Sequence, residues 1–298
     1  MHHAFHTLES RIPRVADVTG ANDAQFEFWE DLAPGWLASE DHTELVAASF
    51  GVAAMNRLGL RSGERVIDIG CGAGTTTLAL ARIVGSDGEA VGVDIAPAMV
   101  SAARRHAAAA AVEHARFVAG DAQVDDLGDS VFDAAYSRFG VMFFADPVSA
   151  FANIRASLRS GGTLAFACWA NIFANEWMFV PGSAVVSVTG VLPPMPGPDE
   201  PGPFSLEDPR HVEALLSDAG FTKVEVTPQQ ESIVIPRAEI ESLVALSSRV
   251  GPVREALRTA DHATASSIEL AVREALLQRV ERDELRLGAS ALIVSARA

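Results

Sequence analysis

From Glu64 onward the chain alternates short apolar blocks with longer stretches of helical period. ERVIDIG (64–70) is β-branched and almost continuously apolar, the pattern of a strand buried on both faces. TTTLALARIVG (75–85) reads as a helix and EAVGVDI (89–95) as a second strand. An alanine-rich helix is expected from Pro97 to about His114, with proline in its first turn. ARFVAGDA (115–122) and VFDAAYSRF (131–139) are the third and fourth strands. A helix over 147–159 leads through Arg159-Ser160-Gly161-Gly162 into a fifth strand, TLAFACW (163–169). Strict alternation of this kind implies βαβ crossovers and a parallel sheet.

Both flanks break that rhythm. Residues 21–58 look helical: Phe26, Trp29 and Leu32, then Trp36 and Leu37, recur at helical spacing, with Pro34-Gly35 expected to interrupt the run. A second helix is expected over Thr43–Leu58, with Gly59 as its C-cap. Residues 171–205 include VLPPMPGPDEPGPF and are expected to be neither regular helix nor central strand. A stretch this long reads as a lid or a disordered segment. Pro209–Ala219 should be helical, FTKVEV and SIVI two strands, 237–287 mostly helical, and ALIVSA the last strand. The expected organisation is an N-terminal helical cap segment (1–60), a core (61–170), a substrate-lid insertion (171–208), and a C-terminal remainder of the sheet with helical insertion (209–298).

Composition narrows the function. Of 298 residues, 49% are hydrophobic, enough for a sizeable core, and no apolar run is long enough to span a bilayer. MHHAFHTLESRIPR lacks the features of a secretory signal. His2, His3 and His6 form an N-terminal cluster that is not read as a metal site, and no metal site is expected elsewhere. Two cysteines, Cys71 and Cys168, exclude a disulfide framework and suit a reducing cytoplasm. The formal charge of −16 opposes a polyanion, so nucleic acid is a poor partner and a small molecule is the default. A homodimer is left open.

The chemistry concentrates in VIDIGCGAG. Gly70, Gly72 and Gly74 join the first strand to the first helix, where backbone amides can approach a ligand closely and the helix N-terminus adds a positive field. The spacing is GxGxG; the dinucleotide fingerprint would need glycine where Thr75 stands. Asp68, two residues earlier, suits a ligand with a cationic amino group. Asp94 ends the second strand, where an acid can accept hydrogen bonds from both ribose hydroxyls. Asp121 and Ala122 end the third and can meet an adenine edge through a carboxylate and an amide.

Together these motifs resemble the class I S-adenosylmethionine-dependent methyltransferases over residues 64–169. The nearest resemblance is to a bacterial subgroup similar to the ubiquinone and menaquinone C-methyltransferases, carried further by SRFGVMFFADP and PGPFSLEDP. The resemblance implies a Rossmann-like, doubly wound seven-stranded α/β sheet of order 3-2-1-4-5-7-6, the last strand antiparallel. It implies that Asp68, Gly70, Cys71 and Gly72 hold the methionine end of the cofactor, S-adenosylmethionine; Cys71 itself reads as a small filler in that loop rather than a nucleophile. It further implies Asp94 on the ribose, Ile95 and Met99 packed on adenine or ribose, Asp121 and Ala122 on adenine, the backbone near Ser137 by the methionine moiety, and Trp36 over the cofactor. The acceptor pocket would be walled by Phe28, Trp29, Phe139, Met142, Phe143 and Trp177, joined by Met178 and Phe204, and would take a small hydrophobic or aromatic acceptor. Trp29 and Trp36 read equally as core residues of an amphipathic helix. Arg138 reads either as a contact for an acidic substrate or as half of an ion pair. No catalytic base stands out. Methylation of a protein or peptide, a non-catalytic binder of the same cofactor, and a divergent dehydrogenase remain as alternatives.

Overall fold

The computed structural model describes residues 22–193, 196–197 and 200–298. His2, His3 and His6 lie outside them. Two N-terminal helices, α1 (Asp23–Leu37) and α2 (Glu40–Leu58), precede the sheet. Then come β1 (Arg65–Ile69), α3 (Thr75–Val84), β2 (Glu89–Asp94), α4 (Pro97–Ala110), β3 (Ala115–Ala119) and β4 (Phe132–Arg138). A 3-10 turn at Val141–Phe143 leads into α5 (Pro147–Ser157) and β5 (Leu158–Trp169). The remainder is α6 (Glu176–Thr189), α7 (Pro209–Asp218), β6 (Thr222–Pro236), α8 (Ile240–Ser247), α9 (Gly251–Thr259), α10 (His262–Leu277), β7 (Val280–Glu281) and β8 (Glu284–Arg297).

The sheet runs β3-β2-β1-β4-β5-β8-β6, with β7 pairing on β8. The first five strands are parallel, and β8 lies antiparallel between β5 and β6. This is the expected doubly wound order with an eighth, two-residue strand added. The order reverses between β1 and β4, which separates the chain leaving their carboxyl ends and opens a crevice there. Val66, Ile67 and Ile69 of β1 and Leu164 to Cys168 of β5 are buried, as strands covered on both faces must be. Helix starts follow local chemistry. Asp146 accepts from the Ser149 amide at 3.0 Å ahead of Pro147, Asp208 from Arg210 at 2.9 Å ahead of Pro209, and Asp261 from Thr264 at 2.7 Å.

Several boundaries depart from the sequence expectation. Pro34 sits inside α1, and the helix continues through Gly35 to Leu37. Burial of Leu32 and Ala33 holds that last turn despite the missing amide. Residues 176–189 are helical around Pro181, because Val180, Ala184 and Val185 pack into the core. α2 begins at Glu40 rather than Thr43, and α4 ends at Ala110, where Ala111 takes a left-handed conformation. FTKVEV and SIVI are parts of one fifteen-residue strand, β6, which pairs along nearly all of β8 from Glu284 onward. α5 stops at Ser157, and the Gly161-Gly162 pair lies within β5.

Candidate active site

A cavity of about 630 Å³ opens at the carboxyl ends of β1, β2 and β4. Its floor is the glycine loop. Gly70 has φ +67°, and a Cβ there would lie 2.8 Å from the Gly140 Cα, so the turns after β1 and β4 touch backbone to backbone. Ser137 holds that contact: its hydroxyl donates to the Ile69 carbonyl at 2.7 Å and accepts from the Gly140 amide at 3.2 Å. Ser137 is fully buried and does not line the cavity, whereas the backbone just beyond it, at Phe139 and Gly140, does. Phe139 has φ +65°, a costly conformation for a side chain with a Cβ. It stacks on Trp169 with ring centroids 3.8 Å apart.

The two strand-end acids differ in their surroundings. Asp94 Oδ2 accepts from the Gly72 amide at 2.8 Å and Oδ1 from the Ala96 amide at 2.9 Å, which ties the glycine loop to the start of α4. Burial still pushes its carboxyl up to about 6, the two amides opposing the rise and Glu30 adding to it. Asp121 receives the Asn22 amide nitrogen on both oxygens, at 3.1 and 3.0 Å, and the Gln123 amide at 2.9 Å. Asn22, just before α1, therefore fastens the N-terminal helices over the end of β3. Glycine loop, Asp94, Ile95, Met99, Asp121 and Ala122 all line the cavity. Trp36 does too, packed with Ala33, Ala96 and Met99 in one apolar cluster.

Asp68 is the exception. It is fully buried under the loop, its Oδ2 accepting from the Thr76 and Thr77 hydroxyls at 2.7 Å each. Its Oδ1 has no partner among the described residues, and burial lifts the carboxyl to about 6 against those two hydrogen bonds. It does not line the cavity. Cys71 does, but burial raises its thiol well above the ordinary range, which suits a neutral filler.

All four tryptophans of the chain, Trp29, Trp36, Trp169 and Trp177, line this one cavity. On one side Trp29 meets Phe143 edge-on at 4.8 Å and Trp36 at 5.7 Å, with Phe28 beside them. On the other, Trp169 carries Phe139 on its face and Trp177 at 5.2 Å. Met142 and Met178 complete the expected wall. Phe204 packs against the main core instead of lining the cavity.

Sequence reasoning did not find Trp169, Asn22 or the pair Glu44–Arg138 as parts of the site. Arg138 donates from Nη1 to Glu44 Oε2 at 2.8 Å and from Nη2 to Oε1, which decides for the ion pair. Burial works against the guanidinium charge, but Glu44 outweighs it and holds the pKa above its ordinary value. At the mouth, Arg254 joins Asp31 of α1 to α9, and Arg249 donates to the Ala38 carbonyl at 3.3 Å and the Ser39 hydroxyl at 3.2 Å. The ring nitrogens of His106 and His114 lie 3.0 and 2.8 Å from the carbonyls of Ala73 and Ala81.

The family profile of the methyltransferase domain matches residues 66–162. Aklanonic acid methyltransferase DauC from Streptomyces sp. (strain C5) is 37% identical over 105 residues, 35% of this chain and 48% of that protein. Demethylmenaquinone methyltransferase from Staphylococcus aureus (strain MRSA252) is 32% identical over 108 residues, covering 36% and 44% of the two chains. The matches thus span less than half the length of these curated relatives. Among solved structures, the YcgJ protein of Bacillus subtilis superposes with a TM-score of 0.53 at 19% identity, over 84% of this chain and 97% of that one. Phosphoethanolamine N-methyltransferase 2 of Haemonchus contortus gives 0.51 at 16% identity, over 83% and 51%. With the sheet order, the glycine loop and the strand-end acids in place, residues 66–162 match a methyltransferase domain, and the core of this chain resembles the class I, S-adenosylmethionine-dependent methyltransferases, the quinone methyltransferases among them.

Proposed function

We propose that the protein transfers a methyl group from S-adenosylmethionine to a small apolar or aromatic acceptor. The observation that carries this reading is the continuity of one cavity, from the glycine loop and strand-end acids to a wall holding every tryptophan of the chain. The residues fit the cofactor. A Cβ built on Gly72 would meet nothing within 4 Å, so the loop leaves room for a ligand against its amides. Asp94 is fixed from behind by two amides and keeps lone pairs for a ribose diol. Ile95, Met99 and Trp36 offer apolar faces to an adenosine. Ala122 supplies an amide for its ring, and Asp121 takes the exocyclic amine through the one lone pair on Oδ2 that Asn22 and Gln123 leave open. Gly70 and the loop around Cys71 would receive the methionine end, with Asp68 acting from beneath through the loop.

When bound, this cofactor supplies an electrophilic methyl group on a sulfonium. The chain's own work is then to hold the acceptor in line and to exclude water. The aromatic walls do both, and Arg254 and Arg249 tie α1 and the turn after it to the chain around the start of α9. A cavity roofed by helices favours a small acceptor over a protein chain. The names of the relatives agree: one is an aklanonic acid methyltransferase, another a demethylmenaquinone methyltransferase.

The test is calorimetric titration with S-adenosylhomocysteine, followed by a labelled-methyl assay against a panel of phenols and quinols. Micromolar binding is expected in the wild type. Asp94→Ala should weaken it at least about tenfold, the scale of one or two hydrogen bonds to a charged group. Absence of heat and of thermal stabilisation in the wild type would reject the reading.

A further inference from the structure

The Arg138–Glu44 pair is a polar island in an aromatic wall, and it is built in rather than draped on. Arg138 keeps 18% of its side chain exposed and Glu44 32%, and both face the cavity. The guanidinium stem crosses α2 at Gly51. A Cβ there would lie 2.6 Å from Arg138 Cδ and 3.0 Å from the hydroxyl oxygen of Tyr136, which itself donates to the Gly51 carbonyl at 2.9 Å. Glycine in a helix interior costs about 1 kcal/mol relative to alanine, and here it admits the arginine.

The pair leaves hydrogen-bonding capacity unused. Glu44 takes two of the five guanidinium donors, and each carboxylate oxygen has a further lone pair. A donor and an acceptor therefore stand side by side, with no net charge. A carboxylate ligand would meet Glu44, and Glu40 and Glu255 line the same cavity. The described arginines lining the cavity are both engaged, Arg138 with Glu44 and Arg254 with Asp31 and Glu255. An ammonium has no lone pair to offer Arg138. A hydroxyl satisfies both partners through one oxygen. Phe139, next in sequence to Arg138, and Trp169 stacked on it both line the cavity, an aromatic surface against which a flat ring packs.

We propose that the Arg138–Glu44 pair anchors the hydroxyl of a planar aromatic alcohol, a phenol or naphthol, in the cavity. The proposal deepens the methyl-transfer reading and rests on it only in naming that molecule the acceptor, since the anchor binds with or without cofactor.

The experiment measures binding of 2-naphthol and 2-methoxynaphthalene to the full chain by equilibrium dialysis. The ether keeps the ring and the oxygen but cannot donate to Glu44. The wild type should prefer the naphthol about tenfold, the worth of one hydrogen bond to a charged group. In the double variant Arg138→Met/Glu44→Leu the preference should fall to within about twofold. Removing both partners leaves no buried charge behind, and retained S-adenosylhomocysteine binding shows that the fold survives. Should that variant fail to fold, Glu44→Gln keeps the shape and should still cut the preference severalfold. Equal binding of the two probes by the wild type, or an undiminished preference in the folded variants, overturns the anchor. A naphthol preference without any S-adenosylhomocysteine binding supports the anchor and removes the methyl-transfer reading instead.

Discussion

Asp68 lies in β1 with no solvent exposure, two threonine hydroxyls on one oxygen and no partner on the other among the described residues. Burial raises its pKa from 3.8 to about 6. A carboxyl whose folded pKa exceeds its unfolded value opposes folding while ionised. Between those two values the folded chain binds the extra proton, so stability rises as pH falls through the window and is lowest above pH 6. Working the linkage with these values, this one group adds about 1 kcal/mol of stability between pH 7 and pH 5. Asp68→Asn cannot titrate and removes that increment. Asp94, also lifted to about 6, titrates in both proteins, so the difference reports Asp68 together with its repulsion of Asp94. Urea unfolding of the ligand-free wild type and Asp68→Asn at pH 5, 6 and 7 measures it. The wild type should gain about 1 kcal/mol more than the variant on going from pH 7 to pH 5. Identical pH dependence of the two proteins would refute a buried, ionisable Asp68 as the source.

Gly70→Ala meets the Gly140 backbone at 2.8 Å in a left-handed conformation, so neither side can yield. It should lower stability by about 2–4 kcal/mol, combining overpacking with left-handed strain, and abolish S-adenosylhomocysteine binding, read by thermal melting and calorimetry. Asn22→Ala removes the amide shared by both Asp121 oxygens. Leaving that buried carboxylate short of donors should destabilise the chain by about 1–3 kcal/mol and release α1. Faster amide exchange across Asp23–Leu37, read by mass spectrometry, is the expected signature.

The parallel core was legible because its signals are local. VIDIG and TLAFACW can only be doubly buried strands, and the glycines between strand and helix have one economical use. Asp94, Asp121 and the aromatic wall followed, since strand ends in this topology converge on one crevice. What the sequence concealed depends on distant partners. Asn22 meets Asp121 across 99 positions, and Glu44 meets Arg138 across 94. Neither pairing leaves a spacing to read. Trp169 closes a strand, where alternation gives no hint that its ring turns toward Phe139. Pro34 and Pro181 misled for the opposite reason: each is a strong local breaker overruled by packing that only the folded chain supplies.

The gathering of every tryptophan into one cavity has an optical consequence. Indoles held 5–6 Å apart couple their transitions, as Trp29 with Trp36 at 5.7 Å and Trp169 with Trp177 at 5.2 Å must do. Trp29 and Trp36 belong to α1 and Trp177 to α6, while Trp169 closes β5. The near-ultraviolet circular dichroism of this protein therefore reports chiefly the packing of α1 and α6 against the end of β5 at the crevice, with Tyr136 of β4 adding a smaller part, while the far-ultraviolet signal reports the backbone. A state in which the first collapses and the second persists would be a folded sheet with its roof lifted, and the two spectra together would distinguish it from unfolding without any label.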